Sequence, residues 1–243
     1  MPRLGLITIG QSPRPDLTTE LAPPLPGVTF VERGVLNGLS SSEIASLHPS
    51  PDDPHDIPLT TRLLDGSSCI IGECAVVARM PALIKSLEDD EGVDCIMLAC
   101  TGHFPPFPHR KPLFIPDHLI SYGTAALIEG IGATTVGILS PLAEQMEHSG
   151  EKFAVGLKQE KEKDVKFVHA FCSPYTGTKE RREEQFRKAS RGLVDKGAQL
   201  IAMDCMGFTE EMRKVVAMEA RVPVILARSV AARFAAEVLA SMV

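Results

Sequence analysis

The chain has 243 residues, 44% of them hydrophobic and 23% charged, and a net charge of −6. The apolar share is enough to fill one large core or two small ones, and the acidic balance argues against a nucleic-acid partner, since a duplex binder carries a basic face. No apolar run reaches the roughly 20 residues that a membrane span needs, so no membrane partner is expected.

Leu4 to Ile9 reads as a strand stopped by Gly10. Arg14 to Leu21 reads as a short helix ended by Pro23 and Pro24, and Val28 to Leu36 as a second strand. Pro49 to Pro58, with four prolines and three aspartates, is a loop. Leu59 to Leu64 and Cys69 to Ile71 flank Asp65-Gly66 as a hairpin. Ala75 to Leu87 has helical spacing, with Pro81 starting a turn or kinking it. Asp94 to Ala99 is a strand, apolar after its first residue, that ends at Cys100. Such a run suits a parallel sheet covered on both faces.

Leu113 to Ile115 is a short strand before a helix from Asp117 to Glu129. Next come a strand over Thr134 to Leu139, a helix over Leu142 to Leu157 and a strand over Val165 to Ala170. A charged helix spans Lys179 to Lys196, and a strand over Leu200 to Asp204 ends at Cys205. A helix over Thr209 to Ala220, a strand over Val222 to Ala227 and a helix over Val230 to Met242 close the chain. The alternation predicts βαβ units, with about eight strands in two mostly parallel four-stranded sets.

A weak internal repeat supports two similar halves. Gly5-Leu6-Ile7 leading to Ser12-Pro13 matches Gly137-Ile138-Leu139 leading to Ser140-Pro141. Ile96 to Gly102 matches Ile201 to Gly207, sharing Cys-x-Gly, and Pro112 to Ile115 matches Pro223 to Leu226. The three matches fall in the same order in both halves.

Gln11, Pro13, Arg14 and Asp16 cut short the apolar start of the chain, so no signal peptide is read and a cytoplasmic location is expected. Six cysteines there are reduced thiols. Ligands of parallel α/β sheets bind beyond the carboxyl ends of the strands, where Cys100 and Cys205 lie. Backbone N–H groups at a following helix start favour a thiolate, and two thiols across one cleft form a two-base device. Gly102 and Gly207 let the backbone come close to a carboxylate, with Thr101 and Met206 beside them. The alternative for each cysteine is an inert buried thiol.

Ser12 and Arg14 are candidate carboxylate ligands, or Ser12 is a helix N-cap with Pro13 at the first helical position. Ser140 is a weaker candidate of the same kind. His103 either tunes Cys100 or is a surface loop residue. Cys95 faces away from Cys100, Cys69 and Cys172 read as core, and Cys74 is open to either reading. No metal is expected, since the cysteines lack knuckle spacing and the histidines are scattered. Glycine-rich nucleotide loops and G-x-S-x-G are absent, so no cofactor is expected either.

The segments LITIGQSPRPDL and MDCMGFTEEMR resemble the AroM family. More distantly, two strand-end cysteines in duplicated α/β halves are similar to the aspartate/glutamate/hydantoin racemase superfamily. That resemblance implies two Rossmann-like domains about a pseudo-twofold cleft, the first from residues 1–115 with 228–243 and the second from 116–227. It also implies a cofactor-free proton transfer by Cys100 and Cys205 on a small carboxylate or its cyclic amide. Those racemases show Cys-Asn-Thr and Cys-Thr-His where this chain has Cys100-Thr101-Gly102 and Cys205-Met206-Gly207. The departures support a second reading, a non-catalytic ligand-binding or regulatory protein on the same fold. Either reading leaves room for a homo-oligomer.

Overall fold

A computed structural model describes residues 1–53, 55–157 and 164–242, so Pro54 of the proline-rich loop lies outside the described residues. The chain divides into two compact units, Met1–Pro116 with Ala231–Val243, and Asp117–Val230.

The first unit contains β1 (Arg3–Thr8), α1 (Pro15–Leu21), β2 (Thr29–Gly34), α2 (Ser41–Ala45), β3 (Pro58–Arg62), β4 (Ser68–Gly72), α3 (Glu73–Asp89), β5 (Cys95–Leu98) and β6 (Leu113–Phe114). Four of its strands form a sheet in the order β2-β1-β5-β6, with every pair parallel, and β3 and β4 form an antiparallel hairpin. All four residues of β5 are buried, as befits an inner strand covered on both faces. Ile7, Leu98, Met80, Ile84 and Leu87 belong to the core of this unit.

The second unit runs through α4 (Pro116–Ile131), β7 (Thr135–Ser140), a 3₁₀ turn over Ala143–Gln145, α5 (Met146–Ala154), β8 (Lys166–Phe171), α6 (Lys179–Asp195), β9 (Leu200–Met203), α7 (Glu210–Ala220) and β10 (Val224–Leu226). Its sheet has the order β8-β7-β9-β10, again all parallel. The two orders are the same when β1, β2, β5 and β6 are matched with β7, β8, β9 and β10. Leu139, Met203, Phe186 and Phe208 belong to its core. The closing helix α8 (Ala227–Ala240) begins in the second unit and carries the chain into the first.

The chain is therefore an α/β protein with two parallel four-stranded sheets. Local details differ from the sequence reading. Helix α1 begins at Pro15 with Arg14 as its N-cap, so Ser12 is not the cap and Pro13 lies before the helix. Helix α3 runs unbroken through Pro81, which forgoes only the bond its missing N–H would have made one turn back. The helix expected from Leu142 is a 3₁₀ turn followed by the shorter α5. Helix α2 was not expected, and it is secured by a capping box between Ser40 and Glu43. No helix among the described residues is long and apolar enough to cross a membrane.

Candidate functional site

Each cysteine at a strand end is built by the same local rule. In the first sheet, β1 and β5 pair up to Ile7 and Leu98, and the Ala99 N–H donates to the Ile7 carbonyl at 2.7 Å. In the second, β7 and β9 pair up to Leu139 and Met203, and the Asp204 N–H donates to the Leu139 carbonyl at 2.9 Å. Cys100 and Cys205 follow directly, so they occupy the same place in the two ladders. The chain then folds back on the sulfur. The Gly102 N–H donates to Cys100 Sγ at 3.3 Å, and the Gly207 N–H donates to Cys205 Sγ at 3.2 Å. These are two small cradles of backbone N–H, each able to support negative charge on sulfur.

The glycines are needed where they stand. A Cβ on Gly207 would lie 2.4 Å from the Tyr175 hydroxyl oxygen, and one on Gly102 would lie 2.9 Å from the tip of the Phe104 ring. Thr101 is half-buried beside Cys100, and His103 is exposed two residues further on. In the second unit, Phe208 anchors the loop by packing edge-on against Phe186, ring centres 5.5 Å apart.

The second loop carries buried charge that sequence reasoning missed. Arg228 at the start of α8 is buried and donates its Nε to the Met206 carbonyl at 2.8 Å, with Nη2 donating to the same oxygen. That bond fixes the Met206–Gly207 peptide whose N–H meets Cys205 Sγ. Lys152 of α5 lies between two carboxylates, 2.7 Å from Asp117 Oδ1 and 2.7 Å from Asp204 Oδ1. Burial works against the Lys152 charge, but Asp204 and Asp117 outweigh it and hold its pKa above the ordinary value. Burial pushes the Cys205 thiol up to about 11; Asp204 adds to the rise, while the Gly207 N–H and Arg228 oppose it. The acidic thiol that a strand-end cradle suggests is thus not the resting condition of Cys205, because burial outweighs the N–H donors.

Asp204 had one visible signal, a carboxylate closing an otherwise apolar strand. Lys152 and Asp117 had none, since both stand in ordinary polar segments and meet only through the fold.

The other sequence candidates fall in different settings. The Arg14 guanidinium clamps a carboxylate, but it is that of Asp16, through Nε at 2.8 Å and Nη2 at 2.7 Å. Its Nη1 donates to Thr8 Oγ1 at 3.2 Å, and the side chain is buried. Ser12 accepts from Asn37 Nδ2 through its hydroxyl and donates its N–H to Asn37 Oδ1, both at 2.8 Å. The proposed match of Ser12 with Ser140 does not hold in the ladders. Gly5 faces Ile96 and Gly137 faces Ile201, so the residue equivalent to Ser140 is Thr8. The Ser140 hydroxyl is buried and has no hydrogen-bond partner among the described residues. Cys95 and Cys172 are buried, and burial pushes both thiols up to about 12. Cys74 is exposed, Cys69 is half-buried, and none of the six cysteines is in a disulfide. Among the described residues there is no cluster of three His, Cys, Asp or Glu that could hold a metal.

A family model described as AroM protein matches residues 4–239. No curated protein matches the chain. Among solved structures, the chain is similar to a glutamate racemase from Francisella tularensis in complex with D-glutamate, at 14% identity, covering 99% of this chain and 82% of that one, with a TM-score of 0.58. It is similar to an allantoin racemase from Klebsiella pneumoniae at 18% identity, covering 100% and 89%, with a TM-score of 0.57. A maleate cis-trans isomerase from Nocardia farcinica, with a covalently bound succinylcysteine intermediate, matches at 14% identity over 98% and 93%, with a TM-score of 0.56. Likeness at these identities is likeness of fold.

Proposed function

The chain belongs to the AroM family, and we propose that it is a cofactor-independent racemase or isomerase in which Cys100 and Cys205 move protons on a small carboxylate or a related cyclic amide. The observation that carries this reading is the recurrence of one Cys-x-Gly cradle at the same ladder position in both sheets. Two equivalent acid–base groups suit one carbon approached on opposite faces: one thiolate removes a proton and the other thiol returns one. The similar folds include racemases of glutamate and allantoin, which is the ligand chemistry proposed here. The buried Ser140 hydroxyl and the Gly102 and Gly207 backbones are the proposed contacts for the substrate's charged end, together with Ser12, Arg14, Thr101 and Met206, with His103 as an auxiliary group. A cytoplasmic setting, where the six thiols stay reduced, belongs to the same reading.

The carbon acid is weak, so the enzyme must also stabilise the charge that develops, and the backbone N–H groups after the strands are the available donors. The test is deuterium incorporation from heavy water across amino acids, hydroxy acids, hydantoins and aromatic-pathway acids. Wild-type protein is expected to exchange the α-hydrogen of one class. Cys100→Ala and Cys205→Ala are each expected to abolish interconversion while leaving binding largely intact. Exchange that survives in both single variants would overturn the two-thiol mechanism. The flanks Cys100-Thr101-Gly102 and Cys205-Met206-Gly207 favour the second reading, a ligand-binding or regulatory protein without chemistry. Clear binding with no exchange of any compound is the outcome that would select it.

A further inference from the structure

We propose that Lys152, Asp117 and Asp204 form a charge lock that holds Cys205 as a neutral thiol at rest, which makes Cys205 the proton donor of the cysteine pair. The Lys152 ammonium lies 2.7 Å from Asp117 Oδ1 and 2.7 and 2.9 Å from the two Asp204 oxygens. The side chains of Lys152, Asp117 and Asp204 are only 11%, 2% and 9% exposed. Two carboxylates share one ammonium, so the cluster carries one excess negative charge inside the protein.

Asp204 is joined to Cys205 by a peptide bond, so this charge is felt at the sulfur with little solvent screening. Of the charged groups described, Asp204 and Arg228 of α8 act on Cys205 directly, and Lys152 of α5 and Asp117 of α4 reach it through Asp204; the Tyr175 phenol abuts Gly207. With the thiol protonated, these four charges cancel. A thiolate at Cys205 would leave the buried group at −1, which the Gly207 and Phe208 N–H groups must then support. The equivalent position before Cys100 is Ala99, so the first cradle has no counterpart of Asp204. Asp117, Lys152 and Asp204 are thus positioning residues in this scheme. They act on the protonation of Cys205 and not on a substrate.

The donor role rests on the two-cysteine reading above, whereas the protonation of Cys205 does not. The experiment is a pH titration by NMR of full-length protein labelled with 13Cβ-cysteine, with Cys205→Ser identifying the resonance. In wild-type protein the Cys205 signal is expected to stay at the thiol position to about pH 9.5. Asp204→Asn leaves Lys152 paired with Asp117, and Asp117→Asn leaves it paired with Asp204, so each removes one negative charge and keeps a balanced pair. Each folded variant is expected to titrate at lower pH than wild type, by about one unit or a tenfold larger thiolate fraction for Asp204→Asn and by less for Asp117→Asn. A structural role alone would change stability and leave the titration in place. A Cys205 signal that moves in neither folded variant, or moves to higher pH, would overturn the lock. Failure of deuterium exchange would leave this result standing, and a failed lock would leave the exchange experiment standing.

Discussion

Gly207 has room for a hydrogen and nothing larger on its outer face, because the Tyr175 hydroxyl oxygen would be 2.4 Å and Pro174 Cγ 3.0 Å from a Cβ there. Gly207→Ala is therefore expected to lower the unfolding free energy by about 1–3 kcal/mol, measured by urea denaturation. Tyr175→Phe removes the nearest atom and should return part of that loss in the double variant. Gly102→Ala should cost less, since its nearest neighbours are side-chain ends, Phe104 Cζ at 2.9 Å and Leu59 Cδ2 at 3.3 Å. Equal costs at the two glycines would show that the crowding at Gly207 does not matter. At this scale the sequence revealed what strand ends reveal. Cys100, Cys205 and their glycines were legible because a continuous apolar strand followed by Cys-x-Gly marks the carboxyl edge of a parallel sheet. Arg14 illustrates the limit. Its residue type suggested a ligand clamp, and only the fold brings Asp16, two residues on, into that role.

At the scale of elements, Gly5 and Gly137 stand at the same position of the two inner strands, facing Ile96 and Ile201. A Cβ at Gly137 would meet Leu193 Cδ1 at 3.1 Å and Ala198 Cβ and Ile201 Cγ1 both at 3.2 Å, so α6 and the turn after it pack against bare backbone. At Gly5 the tight contact is the end of one side chain, Leu87 Cδ1 at 2.9 Å, which can swing aside. Alanine in a strand gains about 0.5–1 kcal/mol over glycine. Gly5→Ala should thus be close to neutral, and Gly137→Ala should be destabilising by about 1 kcal/mol or more. Thermal unfolding of the two variants decides this, and a Gly137→Ala protein as stable as wild type would show that α6 has slack. The strands were legible from apolar runs, but their order in the sheets and the helix faces and ends were not. On α8, Ala231, Ala235 and Leu239 are buried, while the larger Phe234 is 52% exposed. Small residues at a spacing of four set that face, and a reading weighted towards large side chains passes over them.

For the whole molecule, the buried thiols set an alkaline limit on stability. Burial pushes Cys95 up to about 12, with Asp94 adding to it, pushes Cys172 up to about 12, and pushes Cys205 up to about 11, all from an ordinary value of 9.0. Each folded pKa is raised, so the folded chain keeps a proton that the unfolded chain releases. The stabilisation is complete below about pH 9 and is lost as pH climbs from there towards 11 and 12. Lys152, also raised from its ordinary value of 10.5, acts in the same direction at still higher pH. Each titrating thiol contributes a slope of about −1.4 kcal/mol per pH unit, so the three together approach about −4. Urea unfolding followed by far-ultraviolet circular dichroism, under reducing conditions at pH 8, 9, 10 and 10.5, measures this slope; the chain has no Trp to report by fluorescence. Cys172→Ala removes one titrating group and should flatten the slope by about 1.4 kcal/mol per pH unit. A wild-type stability that stays level from pH 9 to 10.5 would mean that these thiols ionise in the folded chain as readily as in the unfolded one.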